Sequence, residues 1–193
     1  MLIRLLELSL QIALGRHLAK CFPLPYFSRT PWEEVSMDIE GEERVRASRD
    51  VVWRALNDPD VLRQCIPGCQ SLEQASPTEL QVVVRIKIGP VAATFNGDVI
   101  LSNIKAPKSY TISGEGKGGI AGFGKGSADV VLVEDGPETI LRYSAKAQVG
   151  GKLAQLGSRL IDSASRKLAQ QFFADFNAVV GTGAENATAG EPQ

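Results

Sequence analysis

Between Glu79 and Ile88 every even-numbered position is apolar, and a second alternating run extends from Val91 to Leu101 after a Gly89-Pro90 turn. A period of two predicts strands that bury one face. Four further runs predict strands at 37–45, 109–116, 128–134 and 139–149. Because the connections are short and rich in turn residues, we expect neighbouring strands to pair as antiparallel hairpins in one curved sheet.

Three helices are predicted around these strands. Ser48 is a candidate N-cap for a short helix, and Pro59 is placed to open a second one. After residue 149 the apolar spacing changes to three and four, at Leu153, Leu156, Leu160, Ala164, Leu168, Phe172 and Phe176. This spacing predicts one long amphipathic helix that covers the sheet. The fold class is therefore α+β, with two short helices after the first strand and a long C-terminal helix.

The two ends of the chain lack this pattern. Residues 1–36 begin with an apolar run that Arg4 and Glu7 interrupt, so it fits neither a transmembrane helix nor a secretory signal. Prolines follow, and we expect an N-terminal extension outside the fold, either an amphipathic segment or the product of a misplaced start codon. The folded domain is predicted over 37–180, and the small and polar residues 181–193 are predicted to be disordered.

Charge and residue types exclude several classes of function. The 21 basic and 22 acidic residues are spread along the chain, so they do not form the basic patch that nucleic-acid binding requires. Three cysteines, Cys21, Cys65 and Cys69, and the single histidine, His17, do not supply a zinc site or a disulfide framework. Residues 38–180 contain no imidazole for acid–base catalysis. We therefore expect no catalytic residue, no metal and no cofactor, and a cytoplasmic location.

Four segments contain more specific motifs: DPDVL at 58–62, CIPGC at 65–69, IGPV at 88–91 and GGKLAQLGSRL at 150–160. In this order and spacing they resemble the family of the carbon monoxide dehydrogenase G subunit, and the resemblance runs over about 37–180. The resemblance implies a START-like helix-grip fold of the SRPBCC superfamily. In that fold the curved sheet wraps the long helix and leaves a cavity between them.

The same resemblance implies a function. The family is associated with molybdenum carbon monoxide dehydrogenases and related hydroxylases as a non-catalytic accessory factor. This implies that the chain carries an apolar small molecule, a quinone or a lipid, and recruits the enzyme to the membrane. In contrast to some members, this chain has no apolar anchor after Val180. We then expect the N-terminal stretch to make any peripheral contact with the inner face of the cytoplasmic membrane.

Seven glycines between Gly114 and Gly126 leave room on the predicted sheet. Glycine in a strand adds no side chain, so the run indicates either a strongly bent hairpin or a surface left open for a ligand. In the second interpretation Ile120 and Phe123, the only bulky apolar residues of the run, form a lid at the cavity mouth.

The other candidate ligand-binding residues belong to a turn and to the cavity wall. Pro67 and Gly68 supply a turn, and the resemblance places Ile66 of that turn near the cavity mouth. Ligand cavities are lined mainly by apolar and aromatic side chains. The predicted wall residues are Val84, Ile86, Phe95, Val99, Leu156 and Leu160.

Two other functions stay open. One is a protein adaptor whose core is filled by its own side chains. The other is a hydrolase or cyclase on the same fold that uses Asp58, Asp98 or Glu115. The lack of histidine and of closely spaced carboxylate pairs argues against the enzyme. An open apolar cavity would distinguish the carrier from the adaptor.

Overall fold

The computed structural model describes residues 34–188, with side chains up to residue 181. These residues belong to the second of two units of the chain, Trp32–Gln193. The strands are β1 Val35–Val45, β2 Cys69–Ser76, β3 Glu79–Ile88, β4 Val91–Lys105, β5 Ser109–Lys117, β6 Phe123–Asp135 and β7 Glu138–Gly150. The α-helices are α1 Arg49–Leu56, α2 Pro59–Cys65 and α3 Ser158–Thr188. The predictions for the N-terminal extension, apart from its last residues, lie outside the described residues.

The seven strands form one antiparallel sheet in the order β1-β7-β6-β5-β4-β3-β2. Strands β2 to β7 follow each other in chain order as hairpins, whereas β1 pairs with β7 over its whole length. The helices α1 and α2 connect the two edge strands, and α3 packs against the inner face of the sheet. This architecture confirms the predicted helix-grip fold. None of the helices within residues 34–188 combines the length and the apolar character needed to span a membrane.

Strand β2 is not predicted by the spacing of hydrophobic positions. It contains one buried apolar side chain, Leu72, among mostly polar neighbours. Its pairing with β3 contains two register shifts, so no period of two is visible in its sequence. The strand begins where Gly68 turns the chain at a φ of +75°, and a Cβ at this position would collide with the carbonyl oxygen of Arg85. Arg85 N–H donates to the Gly68 carbonyl at 2.8 Å.

The long helix begins later than its apolar spacing predicts. Ala154–Leu156 forms a 3-10 turn, and Gly157 then adopts a φ of +84°. Since Leu153 and Leu156 precede this break, they do not share the helical register of α3. The most deeply buried residues of α3 are Ile161, Phe173, Phe176 and Val180.

The C-terminal end of α3 also differs from the expected boundary. The helix continues to Thr188, so the backbone of 181–188 is helical where the sequence predicts a disordered tail. The prediction relied on the small and polar residues there, but helical hydrogen bonding propagates along a backbone that is already nucleated. Residues 189–193 lie outside the described residues.

Two separate clusters of buried side chains hold the helices against the sheet. The first lies at the α1 and α2 end: Val45, Ala47, Val52, Leu56, Cys65, Tyr110, Val130, Leu132, Leu141, Phe173, Phe176 and Val180. The second lies at the start of α3: Phe95, Ala121, Leu153 and Ile161. Burial of each large apolar side chain contributes roughly 1.5–3 kcal/mol. The space beside these clusters forms the candidate site.

Candidate functional site

A band of glycines crosses the inner face of β4, β5 and β6. Gly97 pairs with Gly116, and Gly116 pairs with Gly124 on the next strand. Beside this row, Gly114 pairs with Gly126. These positions contribute no side chain to the space between the sheet and α3, so the sheet does not fill that space itself. The glycine run therefore enlarges the cavity.

The first cavity, which we call the glycine chamber, lies over this band and has a volume of about 310 Å³. Its wall consists mainly of apolar side chains and glycines: Val82, Val84, Ile86, Ile88, Phe95, Gly97, Asp98, Val99, Gly114, Glu115, Gly116, Gly124, Val149, Leu153, Ile161, Ser165 and Leu168. A Cβ built at Gly124 meets no atom within 4 Å, and one built at Gly116 comes no closer than 3.8 Å to Phe95 Cβ. The chamber is thus open at its floor.

The second cavity, which we call the aromatic chamber, also has a volume of about 310 Å³. Its wall is apolar apart from two phenol hydroxyls: Leu56, Leu62, Ile66, Leu72, Leu80, Val82, Val99, Leu101, Tyr110, Ile112, Ala128, Val130, Leu141, Tyr143, Phe172 and Phe173. The two chambers share Val82 and Val99, so they adjoin along the inner face of β3 and β4. Each volume reaches the lower end of the range for small-molecule sites, about 300–1,000 Å³.

The two tyrosines of the aromatic chamber differ in their surroundings. Tyr110 is 4% exposed, and its ring packs edge-on against Trp53 with centroids 5.3 Å apart. Burial raises the pKa of Tyr110 far above its usual range. Tyr143 is half-buried and stacks on Phe173 at 5.4 Å. Burial and then the Glu43 carboxylate raise the pKa of Tyr143. Both phenols are therefore neutral hydrogen-bond donors near neutral pH.

The structure brings several of the sequence-predicted site residues together. Val84, Ile86 and Phe95 line the glycine chamber, and Ile66 lines the aromatic chamber. Val99 lines both. These residues lie on β3, on β4 and on the turn before β2. The alternation along β3 and β4 directs every second side chain to the inner face.

Two predicted wall residues on the helical segment lie elsewhere. Leu156 packs at the edge of the second buried cluster, and Leu160 is 39% exposed beside Gly89. The break at Gly157 is the reason, because it changes where the inward stripe of α3 begins. Ile161 and Ser165 line the glycine chamber instead, together with Leu168 of the predicted stripe.

The two predicted lid residues also lie outside the chamber walls. Ile120 is 85% exposed on the turn between β5 and β6. Phe123 is on the outer face of β6, where its ring covers Gly150 and Lys125 Nζ lies 5.7 Å from the ring centroid. Because Gly124 faces inward, its neighbour Phe123 must face outward.

Several lining residues of α3 and β5 are not among the predicted site residues. On α3, Leu168 and Phe172 belong to the predicted apolar stripe, whereas Ile161 and Ser165 join it only when the helix is started after Gly157. Tyr110 is in phase with the inward positions of β5, so its burial follows from the alternation. Nothing in the sequence distinguishes it from an ordinary core tyrosine.

Two of the three carboxylates considered for catalysis, Asp58 and Glu115, are engaged in other contacts. Asp58 caps α2, where its side chain accepts from Asp60 N–H at 2.9 Å and from Val61 N–H at 3.4 Å. Asp98 and Glu115 pair in register and are exposed, although both border the glycine chamber. Glu115 also forms an ion pair with Lys117 at 3.5 Å. Within residues 34–188 no group of three or more His, Cys, Asp or Glu side chains is arranged to hold a metal ion.

Comparisons with known proteins agree with this architecture. The model of the CoxG family, which is named for the G subunit of carbon monoxide dehydrogenase, matches residues 41–181. No curated protein gives a significant match. Among solved structures, a conserved protein from Geobacillus kaustophilus is 28% identical with a TM-score of 0.72, covering 76% of this chain and 96% of that one.

Two more distant structures show the fold alone. A START superfamily protein from Mycobacterium smegmatis is 14% identical with a TM-score of 0.59, covering 75% of this chain and 97% of that one. The Zhui aromatase/cyclase from Streptomyces sp. R1128 is 11% identical with a TM-score of 0.58, covering 76% and 94%. The helix-grip fold is therefore common to proteins with and without enzyme names.

Proposed function

Because the chain belongs to the CoxG family of carbon monoxide dehydrogenase G subunits, we propose that it is a non-catalytic accessory protein of a molybdenum carbon monoxide dehydrogenase or a related hydroxylase. In this proposal it binds a lipophilic, quinone-like or lipid-like ligand and recruits the enzyme to the membrane. The observation that carries the ligand-binding part is the pair of adjoining apolar chambers, one of which lies over the glycine band.

Apolar burial alone is sufficient for useful affinity. A ligand that removes about 500 Å² of apolar surface from water gains about 12 kcal/mol at about 25 cal/mol per Å². Association costs of about 4 kcal/mol, the low end of their range, leave about 8 kcal/mol, which corresponds to micromolar binding. A chamber wall without charged inward side chains therefore suits a carrier, which must also release its ligand.

Exposed apolar side chains support the membrane part of the proposal. Ile120 faces solvent almost completely, and Leu160 is partly exposed. The strand registers place the turn that bears Ile120 and the Gly89 turn beside Leu160 at the same end of the sheet. An apolar side chain that faces solvent at the end of a ligand chamber suits shallow contact with a lipid surface.

The two alternatives fit the geometry less well. A protein adaptor with a filled core would leave no chambers of this size, because interiors otherwise pack as densely as crystals. A hydrolase or cyclase needs a positioned acid or base, whereas Asp58 caps α2 and Glu115 pairs with Lys117 on the exposed face. The fold shared with an aromatase/cyclase does not decide the question.

Native mass spectrometry of the protein purified without detergent tests the proposal. We expect a co-purifying lipophile, or saturable calorimetric binding of decylubiquinone when the protein is purified empty. If neither is observed, the carrier function is abandoned. Flotation with anionic vesicles, with wild type and Ile120→Ser compared, tests membrane recruitment separately from ligand binding.

A further inference from the structure

The aromatic chamber contains only two polar side-chain groups, the hydroxyls of Tyr110 and Tyr143. The strand registers place both tyrosines in one row, each paired with Val130 between them. Their Cα atoms are therefore two strand spacings apart, about 10 Å. Every other side chain on the wall is a hydrocarbon, so these phenols decide what polarity the chamber accepts.

The Tyr110 hydroxyl makes no hydrogen bond within the described part of the chain, although the residue is 4% exposed. Among the described residues, Arg49 Nε is the only fully buried polar side-chain atom that lacks a hydrogen-bond partner. The Tyr110 oxygen is thus not enclosed by protein atoms and retains access to free space. The free space beside this buried residue is the aromatic chamber.

A buried hydroxyl without a partner costs about 1–3 kcal/mol. Natural structures satisfy nearly all such groups with protein, water or ligand. A water molecule that bonds to Tyr110 finds few other polar partners on the hydrocarbon wall of the chamber. A ligand that displaces this water therefore needs an oxygen atom as the replacement acceptor.

We propose that Tyr110 determines ligand specificity by donating a hydrogen bond to an acceptor oxygen of the bound lipophile. The chamber then selects lipophiles with a carbonyl, ester or ether oxygen over hydrocarbons of the same shape. This inference rests on the proposed ligand-carrier function, which it deepens by assigning the polar contact to one residue.

Tyr143, the other phenol of the chamber wall, has different surroundings. Its hydroxyl lies over Gly41 of the edge strand β1, where a Cβ would collide with it. The residue also borders a depression on the outer face of β1, β6 and β7. Because it is only half-buried, water can satisfy its hydroxyl without a ligand. The control is therefore taken from outside the chamber: Ser144, next in the chain, is exposed on the outer face of β7 and its hydroxyl donates to Glu40 Oε1 at 3.3 Å.

Two probes of matched shape test the inference: 2-methyl-1,4-naphthoquinone and 2-methylnaphthalene, titrated by calorimetry into wild type, Tyr110→Phe and the control Ser144→Ala. We expect Tyr110→Phe to weaken quinone binding about five- to tenfold, the loss of one hydrogen bond, and not to weaken hydrocarbon binding. Ser144→Ala should change neither affinity. An equal loss for both probes in Tyr110→Phe, or no loss, overturns the inference.

A measurement on wild type alone covers the case in which Tyr110→Phe does not fold. The carbonyl stretching band of the bound quinone should lie at lower frequency than in hexane, and a band at the hexane position overturns the inference. Wild type that binds neither probe contradicts the proposed carrier function itself. Binding of both probes without selective loss in Tyr110→Phe contradicts only the role of Tyr110.

Discussion

Gly116 of β5 lies directly opposite Gly124 of β6, and neither residue extends a side chain into the space between the sheet and α3. A Cβ at either position would meet no atom closer than 3.8 Å. The pair therefore leaves volume that a ligand can occupy at the floor of the glycine chamber. A larger side chain substituted at either position would occupy that volume.

Gly124→Leu should close the glycine chamber. The new side chain enters open space, and leucine suits a strand better than glycine does, so we expect no loss in the free energy of unfolding. Affinity for decylubiquinone should fall at least about tenfold, because the ligand loses apolar burial of more than about 1.4 kcal/mol. Calorimetric titration and urea unfolding measure the two quantities.

The control for this variant is Lys125→Leu, which places the same side chain on the exposed face of the same strand. Its ligand affinity should match that of wild type. Full affinity in Gly124→Leu would show that the ligand does not use the glycine chamber.

Thr139→Val should destabilise the fold. Thr139 is completely buried, and its Oγ1 donates a hydrogen bond of 2.8 Å to the carbonyl oxygen of Ala47, which links β7 to the segment before α1. Valine keeps the shape but leaves that carbonyl without this donor, at a cost of about 1–3 kcal/mol. Thr139→Ser keeps the hydroxyl donor and should lower the free energy of unfolding less than Thr139→Val does. Urea unfolding that ranks the two variants in the opposite order would contradict the role of the hydrogen bond.

Asp58→Ala should lower the free energy of unfolding by about 1 kcal/mol, because it removes the N-cap of α2. Asp58→Asn retains an acceptor oxygen and should stay near wild type. Thermal unfolding of the two variants tests the cap, and equal losses would count against it. A capping role and a catalytic carboxylate make opposite predictions for the asparagine variant, since only the catalytic role needs the charge.

The free energy of unfolding should fall above about pH 10 because Tyr110 stays protonated in the folded state. Burial raises its pKa above the ordinary value of 10.0, so the folded state keeps a proton that the unfolded state loses. The contribution of Tyr110 to the free energy of unfolding is complete below the pKa that the residue has in the unfolded chain. It declines as the pH rises above that value, by up to about 1.4 kcal/mol per pH unit. Urea unfolding from about pH 9 to about pH 11 should show a steeper decline for wild type than for Tyr110→Phe. Parallel declines would mean that Tyr110 is not protected in the folded state.

The sequence predicts most of the fold because its signals are local. Alternation along β3 and β4 reveals which side chains face inward, and four of the predicted site residues follow directly from it: Val84, Ile86, Phe95 and Val99. Strand β2 escapes prediction because its pairing with β3, rather than its own apolar pattern, holds it in place.

The helix side of the site depends on a single dihedral angle. Until Gly157 is known to adopt a φ of +84°, a stripe that reaches Leu168 through Leu156 and Leu160 fits the spacing as well as one that reaches it through Ile161 and Ser165. The sequence likewise does not predict that the Tyr110 hydroxyl lacks a hydrogen-bond partner, because such partners are neighbours that only the folded chain brings together.

The pairing of β1 with β7 has a consequence for how the protein is made. Val35 pairs with Val149, so the first of the seven strands to leave the ribosome finds its partner only after most of the sheet has been synthesised. Such distant pairings slow folding, because the intervening chain must be ordered before they form. During translation β1 has an unpaired edge on both sides, and a chaperone that shields this strand should raise the yield of folded protein.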